Sequence, residues 1–157
     1  PEEPRMSRSD INPLRDILQR MLVKYLTVRP HGIQIDPERK PRPSLEARIV
    51  GYGGARTLYR RRQPKCRSLD GVQSVTQPSK LCSDCSDLQQ CTSQVRVDLF
   101  VDQLPFRLML AYTSARNFFE YTADLKRRKL TLEEIMHRID VINRGTWGEL
   151  RFSPVPR

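Results

Sequence analysis

Four cysteines fall within 26 residues of this chain: Cys66, then 15 residues, Cys82, then two, Cys85, then five, Cys91. The two-residue gap in Cys82-Ser83-Asp84-Cys85 lets two thiolates reach one metal from a tight knuckle, and four sulfurs complete a tetrahedral zinc site with no open position. A closed site of this kind is structural, not catalytic. An iron-sulfur cluster also takes four thiolates and is the alternative cofactor. Disulfides fit less well, because the chain reads as intracellular and its cysteines crowd into one loop-rich segment. Between the ligands only scattered apolar residues are present, so the order of residues 66–91 is expected to come from the metal.

The second group with chemistry is a basic strip. From Arg42 to Arg67 the cations are Arg42, Arg48, Arg56, Arg60, Arg61, Arg62, Lys65 and Arg67, opposed only by Glu46. Tyr52 and Tyr59 interleave with them, and Trp147 stands in Arg144-Gly145-Thr146-Trp147-Gly148. Arginines that track phosphates, beside rings that stack on bases, are what a single-stranded nucleic acid requires. The candidate binding residues are therefore Arg48, Tyr52, Arg56, Tyr59, Arg60, Arg61, Arg62, Lys65, Arg67 and Trp147. Each has a plainer reading as well: the arginine triplet as a solvated edge that discourages strand pairing, either tyrosine as core, Trp147 as a core anchor. The run Lys126-Arg127-Arg128-Lys129 reads as an exposed helix end compensating the dipole.

Composition agrees with a polyanionic partner. The chain has 157 residues, 28 Lys+Arg against 18 Asp+Glu, and a net charge of +10, with a pI near 10.0 and a mean hydropathy of −0.60. No apolar run approaches the roughly 18 residues of a spanning helix, and Pro1-Glu2-Glu3-Pro4-Arg5 lacks the features of a secretory signal. The expectation is a cytoplasmic protein without a membrane partner. No phosphate-binding glycine loop, dinucleotide fingerprint, nucleophile elbow or H-E-x-x-H occurs, and no enzymatic activity is expected. His137 falls in a charged context and reads as a surface residue.

The elements that must position these groups follow from periodicity. Residues 1–11 read as a disordered arm. Asn12 and Pro13 open an amphipathic helix over about 13–27, within a unit spanning 12–28, whose stripe runs through Leu14, Ile17, Leu18, Met21, Leu22, Tyr25 and Leu26. It packs on its own domain or serves a protein partner or a second copy. Residues 29–44, rich in proline, read as a linker, and 45–157 as the main domain. Two short strands are expected around Ala47–Tyr52 and Thr57–Tyr59, separated by Gly53-Gly54. Alternation of Val95, Val97, Leu99 and Val101 marks the clearest strand, and Phe106–Tyr112 its hairpin partner. Thr113 or Ser114 is expected to cap a helix over about 115–128 with Phe118, Tyr121 and Leu125 on one face. A capping box at Thr131–Glu134 predicts a second helix over 131–139, before a last strand through Trp147, Leu150 and Phe152. The class is α+β: a small curved antiparallel sheet or OB-like barrel with a helical insertion, the four-cysteine loop and the leading helix.

The segment Cys66-Arg67-Ser68-Leu69-Asp70-Gly71, followed by Leu81-Cys82-Ser83-Asp84-Cys85 and Cys91, resembles a group of bacteriophage and mobile-element proteins that includes presumed single-stranded-DNA-binding proteins. The resemblance covers about residues 51–112, with Ser86 where that group commonly has proline. It implies an accessory role in DNA replication or recombination of a mobile element. The cysteine spacing is also similar to the iron-sulfur staple of certain recombination and CRISPR-associated nucleases, but 15 residues between Cys66 and Cys82 cannot hold a nuclease core. The leading reading is a single-stranded nucleic-acid-binding protein, with DNA as the expected partner. Its rival is a protein-interaction adaptor working through the leading helix and the metal loop.

Overall fold

The computed structural model describes residues 23–76 and 80–156. Among the described residues nine strands and one α-helix form an α+β fold: β1 (Lys24–Tyr25), β2 (Thr27–Arg29), β3 (Gly32–Gln34), β4 (Ser44–Arg60), β5 (Gln63–Ser68), β6 (Thr92–Val101), β7 (Leu104–Leu110), α1 (Tyr112–Arg127), β8 (His137–Asn143) and β9 (Gly148–Pro154). The main sheet has seven strands in the order β1-β7-β6-β4-β8-β9, with β5 also on β4. All its pairs are antiparallel except β1 with β7, so the sheet is mixed. The hairpin β2–β3 stands apart as a second sheet.

Alternation explains the centre. Val95, Val97, Leu99 and Val101 of β6, with Leu108 and Leu110 of β7 and Leu45, Ala47 and Ile49 of β4, turn one face into the core, joined by Ile139 and Leu150. Helix α1 covers this face with Phe118, Tyr121 and Leu125. The Phe118 ring meets Tyr52 and Phe152 edge-on, each at 5.2 Å between centroids.

The opposite face is buried too, and it is charged. Arg96 Nε lies 3.1 Å from Asp98 Oδ2, and Arg107 Nε lies 3.4 Å from Asp98 Oδ1. Removing such charges from water is tolerable only because they are paired. The sheet curls around them until its edges meet: the Arg67 guanidinium of β5 sits over the Tyr25 ring of β1, 4.3 Å from its centroid. No main-chain ladder joins β5 to β1 among the described residues.

Several expected elements differ. The leading helix over 13–27 falls mostly outside the described residues, but its last turn is not helical: Lys24–Tyr25 and Thr27–Arg29 are strands. Tyr25 is drawn into pairing with β7, and Leu26 into the core. The supposed linker 29–44 contains β3, and Ile33 within it is fully buried. The two short strands at 47–59 are one 17-residue strand. The ladder to β6 runs unbroken through Gly53 and Gly54, and a Cβ at position 53 would lie 3.2 Å from Arg96 Nη2. Its bulge lies earlier, between Ile49 and Gly51. Helix α1 starts at Tyr112 with Ala111 as its N-cap and no side-chain cap. Ser114 instead accepts the Leu150 amide at 3.0 Å. The expected second helix over 131–139 is a single 3-10 turn, Leu132–Glu134, followed by β8. Its capping box does form, but pairing of β8 with both β4 and β9 overrides the helical period.

Candidate nucleic-acid interface and cysteine pocket

The basic strip is split by the strands that carry it. Pairing between β4 and β6 ends at Thr57↔Thr92, while the β4–β5 ladder continues to Arg60↔Gln63. Residues 58–65 thus extend past β6 as a two-stranded ribbon. Its tip is a two-residue turn in which Arg61 and Arg62 adopt φ of 51° and 64°, the left-handed pair that hairpin twist demands and that Asn-Gly usually supplies. Tyr59, Arg60, Arg61, Arg62 and Lys65 are exposed on this ribbon, and Arg60 reaches Asp87 at 3.5 Å.

The other candidates go elsewhere. Arg56 turns toward the cysteines, and Arg67 toward Tyr25. Arg48, near the start of β4, pairs with Phe100 in the sheet register. Tyr52 packs against α1. Trp147 is exposed in the β8–β9 turn, and β8 pairs with β4 at Ser44–Ala47, so a strand's length separates Trp147 from the ribbon. That turn is rigid. The Glu149 carboxylate accepts Arg144 at 3.0 and 2.6 Å and Asn117 at 3.2 Å, and these bonds hold its carboxyl below the usual range.

The four cysteines come together. Cys66, Cys82, Cys85 and Cys91 all line one apolar cavity of about 30 Å³, with Arg56, Leu58, Leu81 and Leu88, about the room one water-sized occupant needs. Register places Cys66 opposite Leu58, at the base of the ribbon. Short 3-10 turns at Cys82–Asp84 and Leu88–Gln90 present the other three. Burial pushes the Cys91 thiol up, and the potentials of Cys85, Cys66 and Cys82 push it further, against Arg56. The Cys91 thiol, placed this way, resists ionising unless a cation joins it. All four thiols are free. Among the described residues no group of three or more His, Cys, Asp or Glu side chains stands in an arrangement that would hold a metal ion.

The C-x-S-x-D-G segment has a visible local task. Asp70 Oδ1 accepts the amides of Val72 at 2.8 Å and Gln73 at 2.9 Å and the Ser68 hydroxyl at 3.0 Å. These bonds, the Gln73 amide foremost, hold its carboxyl low. Gly71 takes φ +77°, which the turn requires. The loop is then tied to the sheet, since Arg96 Nη1 donates to the Leu69 carbonyl.

His137 is not a surface residue: it is fully buried. Tyr121 donates to its Nδ1 at 2.7 Å, and its Nε2 donates to the Leu132 carbonyl at 2.7 Å. Burial holds the imidazole below its ordinary value and pushes the Tyr121 hydroxyl up to about 12. The dyad knits α1 to β8, and nothing in the local sequence marks the pairing. No helix among the described residues is long and apolar enough to cross a membrane. Comparison of the chain with protein-family models, curated proteins and solved structures finds no match.

Proposed function

We propose that this protein binds single-stranded nucleic acid, DNA in the first instance, without catalysing a reaction on it. The observation that carries the reading is the projecting β4–β5 ribbon, which exposes Arg60, Arg61, Arg62 and Lys65, with the Tyr59 ring exposed beside them and its hydroxyl accepting from Gln94 of β6 at 3.4 Å. Cations placed on a narrow ribbon reach phosphates that a flat face would not, and a ring among them offers one stacking surface. The turn keeps arginine at two left-handed positions where other residues would be less strained, and strain of that kind is retained where function needs the side chain.

In this reading the cysteine pocket is the ribbon's anchor. Cys66, Cys82, Cys85 and Cys91 would hold zinc, with an iron-sulfur cluster as the alternative, and the metal would draw the sulfurs closer than the cavity does alone. The curled sheet, with Arg67 on Tyr25 at its seam, is the OB-like part of the reading. An accessory role in replication or recombination of a mobile element rests on the resemblance of the C-x-S-x-D-G and cysteine segments.

The test is an anisotropy titration with an oligothymidylate over a salt series. Binding must weaken linearly in log affinity against log salt, because each neutralised phosphate releases counterion. Arg61→Ala should lower that slope by about 0.7. Affinity no greater than that of an unrelated protein of equal charge would favour the adaptor reading instead.

A further inference from the structure

Helix α1 buries Ser114, Phe118, Tyr121 and Leu125 and packs mainly against β9 and β6. One flank is left toward solvent. Tyr112, Arg116 and Phe119 follow at i, i+4 and i+7, so they line up on that flank. Tyr112 is 86% exposed and Phe119 49%, and Arg116 is exposed between them. Across from Phe119 stands Tyr52 of β4, 41% exposed, with ring centroids 6.4 Å apart and planes at 74°.

The strand beside these rings is bare. Tyr52 pairs with Val97 and Gly54 with Val95, which puts both on the α1 face of the sheet. Gly54 is exposed, and a Cβ there would meet nothing within 4 Å. Arg56, next along the same face, lines the cysteine pocket. A shallow trough with aromatic walls therefore runs along β4 toward the base of the basic ribbon.

The geometry points to this trough as the seat of unpaired bases, with Phe119, Tyr52 and Tyr112 as stacking surfaces and Arg116 placed for a phosphate. The inference rests on the reading that the ribbon holds the phosphates of a single strand, and it names what the rest of that strand does. Charge decides the occupant. Arg116 stands among the rings and the strand leads on to Arg60, Arg61, Arg62 and Lys65, an arrangement that suits a polyanion with planar apolar faces better than a protein side chain. Glu120, the carboxylate next to Phe119, is about a quarter turn from that ring but stands at i+4 from Arg116, where it tempers that cation. From Tyr52 to Arg60 the strand covers about 26 Å, room for several nucleotides. Paired bases turn no face outward, so the trough would discriminate against duplex.

The probes are an oligothymidylate and an abasic oligodeoxynucleotide of equal length, titrated against the full chain. Wild type should bind the base-bearing strand more tightly, by roughly 10-fold for each base stacked. Phe119→Ala should cut that preference roughly 10-fold while keeping abasic affinity and salt slope, and Phe119→Trp should restore it. Tyr112→Ala, which removes almost no packing, should act the same way. Equal wild-type affinity for the two probes, or loss on both with Phe119→Ala, overturns the trough and leaves the ribbon standing. A dimer in sedimentation that Phe119→Ala dissolves would assign the trough to a second copy and overturn the inference likewise. Failure of wild type to bind either probe overturns the ribbon reading and the trough with it.

Discussion

Replacing the ribbon tip, Arg61→Asn with Arg62→Gly, should move stability and binding in opposite directions. Both arginines sit at left-handed φ, 51° and 64°, a conformation that costs an L-residue about 1–2 kcal/mol. Asparagine and glycine adopt it more readily, although glycine gives back about 0.5–1 kcal/mol in chain entropy. The net expectation is a gain of about 1 kcal/mol, or about 3 °C in Tm for a chain of this size. Both side chains project from the ribbon and support no core contact, so no packing loss offsets the gain. Binding should weaken, because two cations leave the phosphates: the salt slope for a single strand should fall by about 1.4. Urea unfolding gives the first quantity, and anisotropy over a salt series the second. A variant that merely unfolds would lose both, so the opposed signs are diagnostic. Unchanged or lower stability would refute the strain argument, and an unchanged slope would refute the placement of Arg61 and Arg62 on phosphates.

Three further perturbations test other parts of the molecule. Cys85→Ser should abolish stoichiometric zinc, or iron if a cluster is present, and expose residues 66–91 to amide exchange while Val97 and Leu99 stay protected. Metal analysis with exchange mass spectrometry checks this, and retained metal would remove Cys85 from the ligand set. His137 is held neutral below its ordinary range, so the unfolded chain takes up protons that the folded chain refuses. Stability should accordingly fall as pH drops through about 6.5 and level off below the folded value. Urea midpoints of wild type and His137→Gln between pH 8 and 5 should diverge in that window, and parallel curves would refute the assignment. In Gly148→Ala, a Cβ would lie 2.5 Å from the Arg29 carbonyl oxygen and 2.8 Å from Val141 Cγ1. Crowding against backbone should cost about 1–3 kcal/mol, and an unshifted Tm would contradict the packing of β9 on β2.

What could be read from the sequence were arrangements made by neighbours in the chain. Alternation at Val95, Val97, Leu99 and Val101 is enough to specify β6, because period two puts one face inward whatever covers it. The spacing of Phe118, Tyr121 and Leu125 likewise specifies α1 and its buried face. The cysteine cluster was legible as a group, and all four line one cavity.

Tertiary structure decided what depends on distant partners. Leu132, Ile135, Met136 and Ile139 satisfy a helical period, yet β8 forms because Ile139 gains burial between β4 and β9 that a short helix could not provide. Pairing with β7 similarly claims Tyr25 from the leading helix. The burial of Arg96 and Asp98 could not be foreseen from strand alternation, which leaves their face to solvent until the sheet curls and the cysteine loop closes over it. Exposure of Phe119 beside buried Phe118 depends on where β9 sits under α1. Periodicity states which residues share a face. Which face meets water is set by long-range contacts, whose free energy exceeds the few tenths of a kcal/mol by which local propensities differ.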